Sequence, residues 1–210
     1  MEQGNIIFLN GTSSSGKTVI AKALQEIMDG YYIHTGIDHY LDRTPEKIHV
    51  QSDGKKPAAA EGFLWVFPEG GKRLSEIRIG PAGFRLLKGV YHAAAALAAT
   101  GNDLIIDDVV VDTRVLREAV NTLYTFNVLF VGIRCPFKVT EQREQERDDR
   151  TQGLVKAQYD IVHSHGVYDL EIDTSILTPT ECANQIKDRL QNGPAPEAFR
   201  KLRNILGSSK

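Results

Sequence analysis

The chain has 210 residues, 41% of them hydrophobic, and its 25 Lys and Arg against 27 Asp and Glu leave a net charge of -2. This length and composition describe one folded α/β domain and exclude a disordered or fibrous chain, while the lack of a basic excess disfavours a large nucleic-acid interface. The two cysteines, Cys135 and Cys182, stand outside any metal-ligand spacing, which argues against a zinc site or a disulfide scaffold and fits a reducing compartment.

In chain order, the apolar run Ile6-Ile7-Phe8-Leu9 stops at Asn10-Gly11 after four residues. It reads as a strand rather than the core of a leader, and the longest other apolar stretch, Ala93 to Ala99, is far short of a membrane span. A cytoplasmic location is expected. Strands are predicted at residues 5–10, about 31–35, 103–108, 127–133 and 168–173, with helices beginning near 16, 83, 114, 139 and 179. Alternating strands and helices of this kind build a parallel sheet flanked by helices. Thr113 and Thr140 stand where N-caps are expected, and Pro179-Thr180-Glu181 opens the last long helix with proline in its first turn. Residues 43–81 carry Pro45, Pro57, Pro68 and Pro81 around the aromatic run Phe63-Leu64-Trp65-Val66-Phe67. They read as an insertion of loops and short strands. Residues 191–210 read as a linker and a short basic helix, peripheral to the domain.

The strongest chemical signal is Gly11-Thr12-Ser13-Ser14-Ser15-Gly16-Lys17-Thr18, which follows an apolar strand and opens a helical pattern. It fits the phosphate-binding (Walker A) spacing GxxxxGK[ST], in which glycines permit a turn whose backbone N–H groups encircle phosphate oxygens. Lys17 adds a positive charge for the terminal phosphates, and the Thr18 hydroxyl is placed for Mg²⁺. A carboxylate at the end of another strand completes such a metal site, and Leu104-Ile105-Ile106-Asp107-Asp108 offers two. Asp107 is assigned to the metal side. Asp108, the adjacent residue, then faces away unless the strand has already ended, and either carboxylate could instead cap the following turn.

Arg143, Arg147 and Arg150 are spaced four and three apart, which would put them on one helical face, as a lid closing over transferring phosphate or as a solvated face paired with nearby Glu and Asp. Asp38 lies just past the carboxyl end of the second strand, the edge where open parallel sheets bind ligands. It could take a substrate proton or simply cap the helix that follows. His34, His39, His163 and His165 lack metal-ligand spacing and read as polar packing or substrate contacts.

These stretches resemble one family in their order and spacing. Phe8-Leu9-Asn10-Gly11 with Ser13-Ser14-Ser15-Gly16-Lys17, Gly36-Ile37-Asp38, Ile79-Gly80-Pro81 and Ile105-Ile106-Asp107-Asp108-Val109 are similar to the chloramphenicol phosphotransferases among the P-loop kinases. So are Val131-Gly132-Ile133-Arg134-Cys135, Arg143 with Glu144, Arg147 with Asp149-Arg150, Gln158, Val162-His163, Tyr168-Asp169 with Asp173-Thr174, and Glu181-Cys182-Ala183. The match covers most of residues 5–190. It implies a P-loop nucleoside triphosphate hydrolase fold, a five-stranded parallel sheet in the order 2-3-1-4-5, and an arginine-bearing lid at 139–153. Residues 1–190 then form the kinase domain, with 43–81 as an acceptor-side insertion and 191–210 as a C-terminal linker and helix.

The resemblance further implies ATP and Mg²⁺ as cofactors and phosphorylation of a small-molecule hydroxyl, as in chloramphenicol 3-O-phosphorylation, a route to antibiotic resistance. Gly11, Thr12, Ser13, Ser14, Ser15, Gly16, Lys17 and Thr18 would hold the nucleotide with Arg143, Arg147 and Arg150. Thr18 and Asp107 would hold the metal, Asp38 would be the catalytic base, and Lys17, Arg143 and Arg147 would stabilise the transferred group. The expected partner is an amphenicol-like acceptor, with no nucleic acid and no membrane, and with room for a homo-oligomer. The 43–81 segment is longer than in the family's namesake, and the Phe63-to-Phe67 run has no counterpart there. A different acceptor, such as the nucleotide sugar of a zeta-toxin-like kinase, is therefore an alternative. So is a nucleotide-binding switch that hydrolyses slowly without any acceptor.

Overall fold

The computed structural model describes residues 2–52, 61–148 and 151–207. Its central sheet is built from β1 (Asn5–Asn10), β2 (Tyr32–Gly36), β6 (Asp103–Asp108), β7 (Asn127–Arg134) and β8 (Leu170–Asp173), all parallel, in the order β2-β6-β1-β7-β8. Counted within this sheet, the order is 2-3-1-4-5. Strands β3 (His49–Ser52), β4 (Phe63–Val66) and β5 (Glu76–Ile79) form a separate three-stranded sheet within the inserted segment. The aromatic run is its middle strand.

Strand residues alternate between two cores, because successive side chains point to opposite faces. Ile6, Phe8, Leu104, Ile106 and Phe130 pack under α3 (Pro81–Ala99), α4 (Thr113–Leu123) and α8 (Ala198–Leu206). Ile7, Leu9, Ile105, Leu129 and Val131 pack under α1 (Lys17–Ile27) and α7 (Pro179–Asn192). The parity also divides the two aspartates of β6. Asp107 continues the Ile105 face toward α1, and Asp108 continues the Ile106 face toward α3. Shorter helices α2 (Ile37–Leu41), α5 (Phe137–Gln145) and α6 (Leu154–Gln158) border the carboxyl edge of the sheet. Among the described residues, no helix is long and apolar enough to cross a membrane.

Three local expectations are corrected. Thr113 is the first residue of α4 rather than its cap: the Asp112 carboxylate accepts the Arg114 N–H at 2.8 Å, and carboxylates cap at least as well as a hydroxyl. Thr140 lies inside α5, which Pro136 starts, and its hydroxyl donates back to the Phe137 carbonyl at 2.9 Å. The C-terminal helix is not peripheral. Ala198, Phe199 and Leu202 of α8 are buried, and the Phe199 ring lies 5.6 Å from Phe8 and 5.1 Å from Phe130. Asp169 fixes that helix, one oxygen accepting the Glu197 and Ala198 N–H groups at 2.7 and 3.0 Å and the other accepting Phe130 N–H at 3.0 Å. At the other long helix the expectation holds, with Pro179 in the first turn of α7 and Thr178 and Glu181 forming a reciprocal capping box.

Candidate active site

Between β1 and α1 the chain turns through Gly11–Gly16. Gly16 has φ 98°, a left-handed conformation that costs a glycine nothing, and Ser14 at φ 60° adopts it despite its side chain. Such turns point successive N–H groups inward at a helix N-terminus, a ready anion site. The side-chain oxygens of Ser13, Ser14 and Ser15 are buried with no hydrogen-bond partner among the described residues. Unsatisfied donors gathered around one turn fit a phosphate group that would occupy it.

Lys17 is buried, and its ammonium donates to the carbonyls of Gly11 at 3.0 Å and Thr12 at 2.8 Å while lying 3.9 Å from Asp107 Oδ1. The Thr18 hydroxyl donates to Asp107 Oδ2 at 2.7 Å. Burial alone would raise the Asp107 carboxyl, but the His34 imidazole 3.6 Å away, the Lys17 charge and the Thr18 hydroxyl together hold it below its ordinary value. It is therefore an anion facing the phosphate loop. An anionic oxygen and a hydroxyl oxygen in contact suit a hard divalent cation that keeps water and phosphate oxygens as its remaining ligands. Among the described residues no group of three His, Cys, Asp or Glu forms a protein cage for a metal. Asp108, on the other face, accepts Tyr91 O–H and Val109 N–H at 2.7 Å each. It serves the α3 core.

Asp38 sits in the first turn of α2, whose N-cap is Gly36, so the capping alternative falls away. A Cβ at Gly36 would lie 2.0 Å from the Asp107 carbonyl, and only glycine lets β2 end this close to β6. That contact sets Asp38 beside the phosphate loop, and both open onto one cavity of about 580 Å³. Ile37, Leu41, Phe63, Trp65, Ile77 and Ile79 form its apolar wall. Lys17, Arg143 and Arg147 are its cationic lining residues among those described.

The arginines expected to form a lid depart from the single helical face. Helix α5 ends at Gln145, so Arg147 lies beyond it, and Arg150 falls outside the described residues. Arg143 donates to the Thr174 carbonyl at 2.9 Å and hydroxyl at 3.3 Å, and Thr174 in turn donates to the Ser15 carbonyl at 2.7 Å. The guanidinium is thereby tied to the far side of the phosphate loop. Glu144, expected among the surface partners of the arginines, is buried instead, and accepts Gly153 N–H and Val155 N–H at 2.8 Å each. His163 meets the Tyr168 hydroxyl at 2.7 Å and His165 stacks on Phe130, both as polar packing beneath the loop. Thr174 had no assigned role in the sequence, although it directly follows the last strand at the ligand-binding edge, a position that could have marked it.

Comparison with known proteins places the chain in a family. Residues 4–191 match the family described as chloramphenicol phosphotransferase-like protein. Two Mycobacterium tuberculosis proteins, each named "Putative O-phosphotransferase", are 29% identical over 206 residues, spanning 97% of this chain and 89% of theirs. The Mycobacterium tuberculosis APS kinase CysC superposes with a TM-score of 0.58 at 13% identity, over 91% of this chain and 100% of that one. The Deinococcus radiodurans tunicamycin resistance protein does so with a TM-score of 0.55 at 21% identity, over 90% and 96%. At these identities the structural likeness speaks for the fold.

Proposed function

The chain belongs to the chloramphenicol phosphotransferase-like family, and from that premise we propose that it is an ATP- and Mg²⁺-dependent kinase for a small-molecule hydroxyl, with an amphenicol or similarly shaped aromatic alcohol as acceptor. The observation that carries this reading is the single cavity joining the phosphate loop and the Thr18–Asp107 pair to an apolar wall, with Asp38 between them. Its acceptor end is lined by aliphatic and aromatic side chains and by Asp38, which favours an uncharged alcohol over a carboxylate or phosphate ester.

In the reaction, Asp38 accepts the proton of the acceptor hydroxyl as its oxygen bonds to the γ-phosphorus, and the bond from that phosphorus to the β–γ bridging oxygen breaks to release ADP. Lys17 and the loop N–H groups hold the β- and γ-phosphates, with Arg143 and Arg147 neutralising charge on the transferred group. Thr18 and Asp107 would hold Mg²⁺, whose charge screens the phosphate oxygens when bound. The apolar wall excludes water, so that the alcohol rather than water reaches the phosphorus.

Mass spectrometry of chloramphenicol incubated with ATP, Mg²⁺ and the protein tests this directly, with Lys17→Ala as control. A phosphate-sized mass gain that the variant cannot produce is expected. If ATP binds but no mass gain appears with chloramphenicol or with a panel of aromatic alcohols, the acceptor class is wrong.

A further inference from the structure

Gln158 ends α6, is only 6% exposed, and lines the cavity, yet the phosphoryl-transfer scheme above gives it no task. Its side-chain oxygen accepts the backbone N–H of Ser13 at 2.7 Å. A backbone N–H can only meet the oxygen of a carboxamide, so the orientation of this side chain is fixed. The carbonyl on the other side of the same peptide unit, that of Thr12, accepts from the Lys17 ammonium at 2.8 Å. In a trans peptide the N–H and C=O point in opposite directions. One peptide of the phosphate loop is thus held at both ends, by Lys17 from within the loop and by Gln158 from 145 residues away.

If this peptide flipped, the Thr12 carbonyl would face the Gln158 oxygen, two acceptors in contact, and Lys17 would lose a partner. The helix that carries Gln158 is itself anchored at its start. Glu144 fixes the start of α6 through Gly153 N–H and Val155 N–H, and the Gln152 amide donates to the Glu144 carbonyl at 3.0 Å. The anchor for the loop therefore stands on α6, which Glu144 ties to α5, the helix that carries Arg143.

We propose that Gln158 is a positioning residue whose side-chain oxygen locks the Thr12–Ser13 peptide, so that helix α6 presets the phosphate loop before nucleotide arrives. The proposal rests on the nucleotide-site reading given above. Its test uses the full chain without nucleotide, reading hydrogen exchange at the Ser13 amide by NMR, alongside calorimetric binding of a non-hydrolysable ATP analogue. Gln158→Met keeps the length and loses the strong acceptor, whereas Gln158→Glu keeps an acceptor oxygen.

The Ser13 amide is expected to be protected in the unsubstituted protein and in Gln158→Glu, and to lose protection in Gln158→Met. The loss of one hydrogen bond should weaken analogue binding by Gln158→Met roughly three- to ten-fold. Native protection of Ser13 in Gln158→Met would overturn the proposal, as would loss of protection in Gln158→Glu. Should Gln158→Met fail to fold, the unsubstituted protein still decides, because unprotected exchange of its Ser13 amide contradicts the lock. Failure of the nucleotide-site reading looks different. In that case Lys17→Ala binds the analogue as well as the unsubstituted protein does, whatever Ser13 exchange reports.

Discussion

Asp38 and Lys17 line the same cavity, and the proposed scheme gives them separable tasks, one for the acceptor proton and one for the phosphates. Asp38→Asn keeps size and hydrogen bonding and removes only basicity, so nucleotide affinity should stay within about two-fold while turnover falls by roughly two orders of magnitude or more. Calorimetry and steady-state kinetics on one preparation check both halves, and undiminished turnover would remove Asp38 from the chemistry. Lys17 is buried against two carbonyls and an aspartate, so Lys17→Ala takes a donor from the carbonyls and a positive charge from beside Asp107. Turnover should be lost with it, measured as ADP release in the presence of acceptor.

At the scale of elements, the loop between β4 and β5 meets α5 and the turn before α6 through specific bonds. The Leu74 N–H donates to the Gln152 carbonyl at 2.7 Å, and Arg73 pairs with Glu141 at 3.1 Å. The exposed Arg73–Glu141 pair contributes little, whereas the buried Glu144 carboxylate organises the turn into α6. Glu144→Ala leaves two buried N–H groups unmet and is expected to lower the melting temperature and to speed hydrogen exchange across residues 151–158. Trp65, on the middle strand of the small sheet, touches only the acceptor end of the cavity in the proposed scheme. Trp65→Ala should raise the acceptor KM by about ten-fold or more with the ATP KM little changed, as expected for lost apolar contact. A parallel rise in both constants would place Trp65 elsewhere in the mechanism.

Across the whole molecule, the core beneath α3 and α4 is completed by the C-terminal helix. Phe199→Ala would open a hole among Phe8, Phe130 and Leu202, at a cost of about 3–5 kcal/mol read by denaturant unfolding. Near that core, burial and the nearby Arg134 charge push both His163 and His165 down to about 4, from an ordinary value of 6.5. The unfolded chain binds protons at these sites below about pH 6.5 while the folded one refuses them until about pH 4. Their contribution to stability is therefore complete above pH 6.5 and is lost as pH falls toward 4. Thermal melts from pH 7 to 4.5 should show this decline, and His165→Gln should make it shallower.

By itself the sequence determined the βα order, the phosphate loop and the separate faces of Asp107 and Asp108, because each follows from local rules. A glycine-rich turn after an apolar strand forms within one short stretch, and strand parity is fixed by the two-residue pleat. The register of β1 with β6 then brings Leu9 opposite Asp107, which sets Thr18 and Asp107 in contact. Tertiary structure decided what depends on distant partners. Helix α8 reads as a short basic helix at the end of the chain, with Arg200, Lys201 and Arg203 in it, but its apolar stripe finds Phe8 and Phe130 only once the sheet is formed. The arginine spacing suggested one helical face, yet α5 stops at Gln145 and Arg143 is drawn to Thr174. Gln158 could be noticed in the sequence, but its bond to Ser13 spans 145 residues, and no periodicity or spacing encodes a contact between segments that far apart.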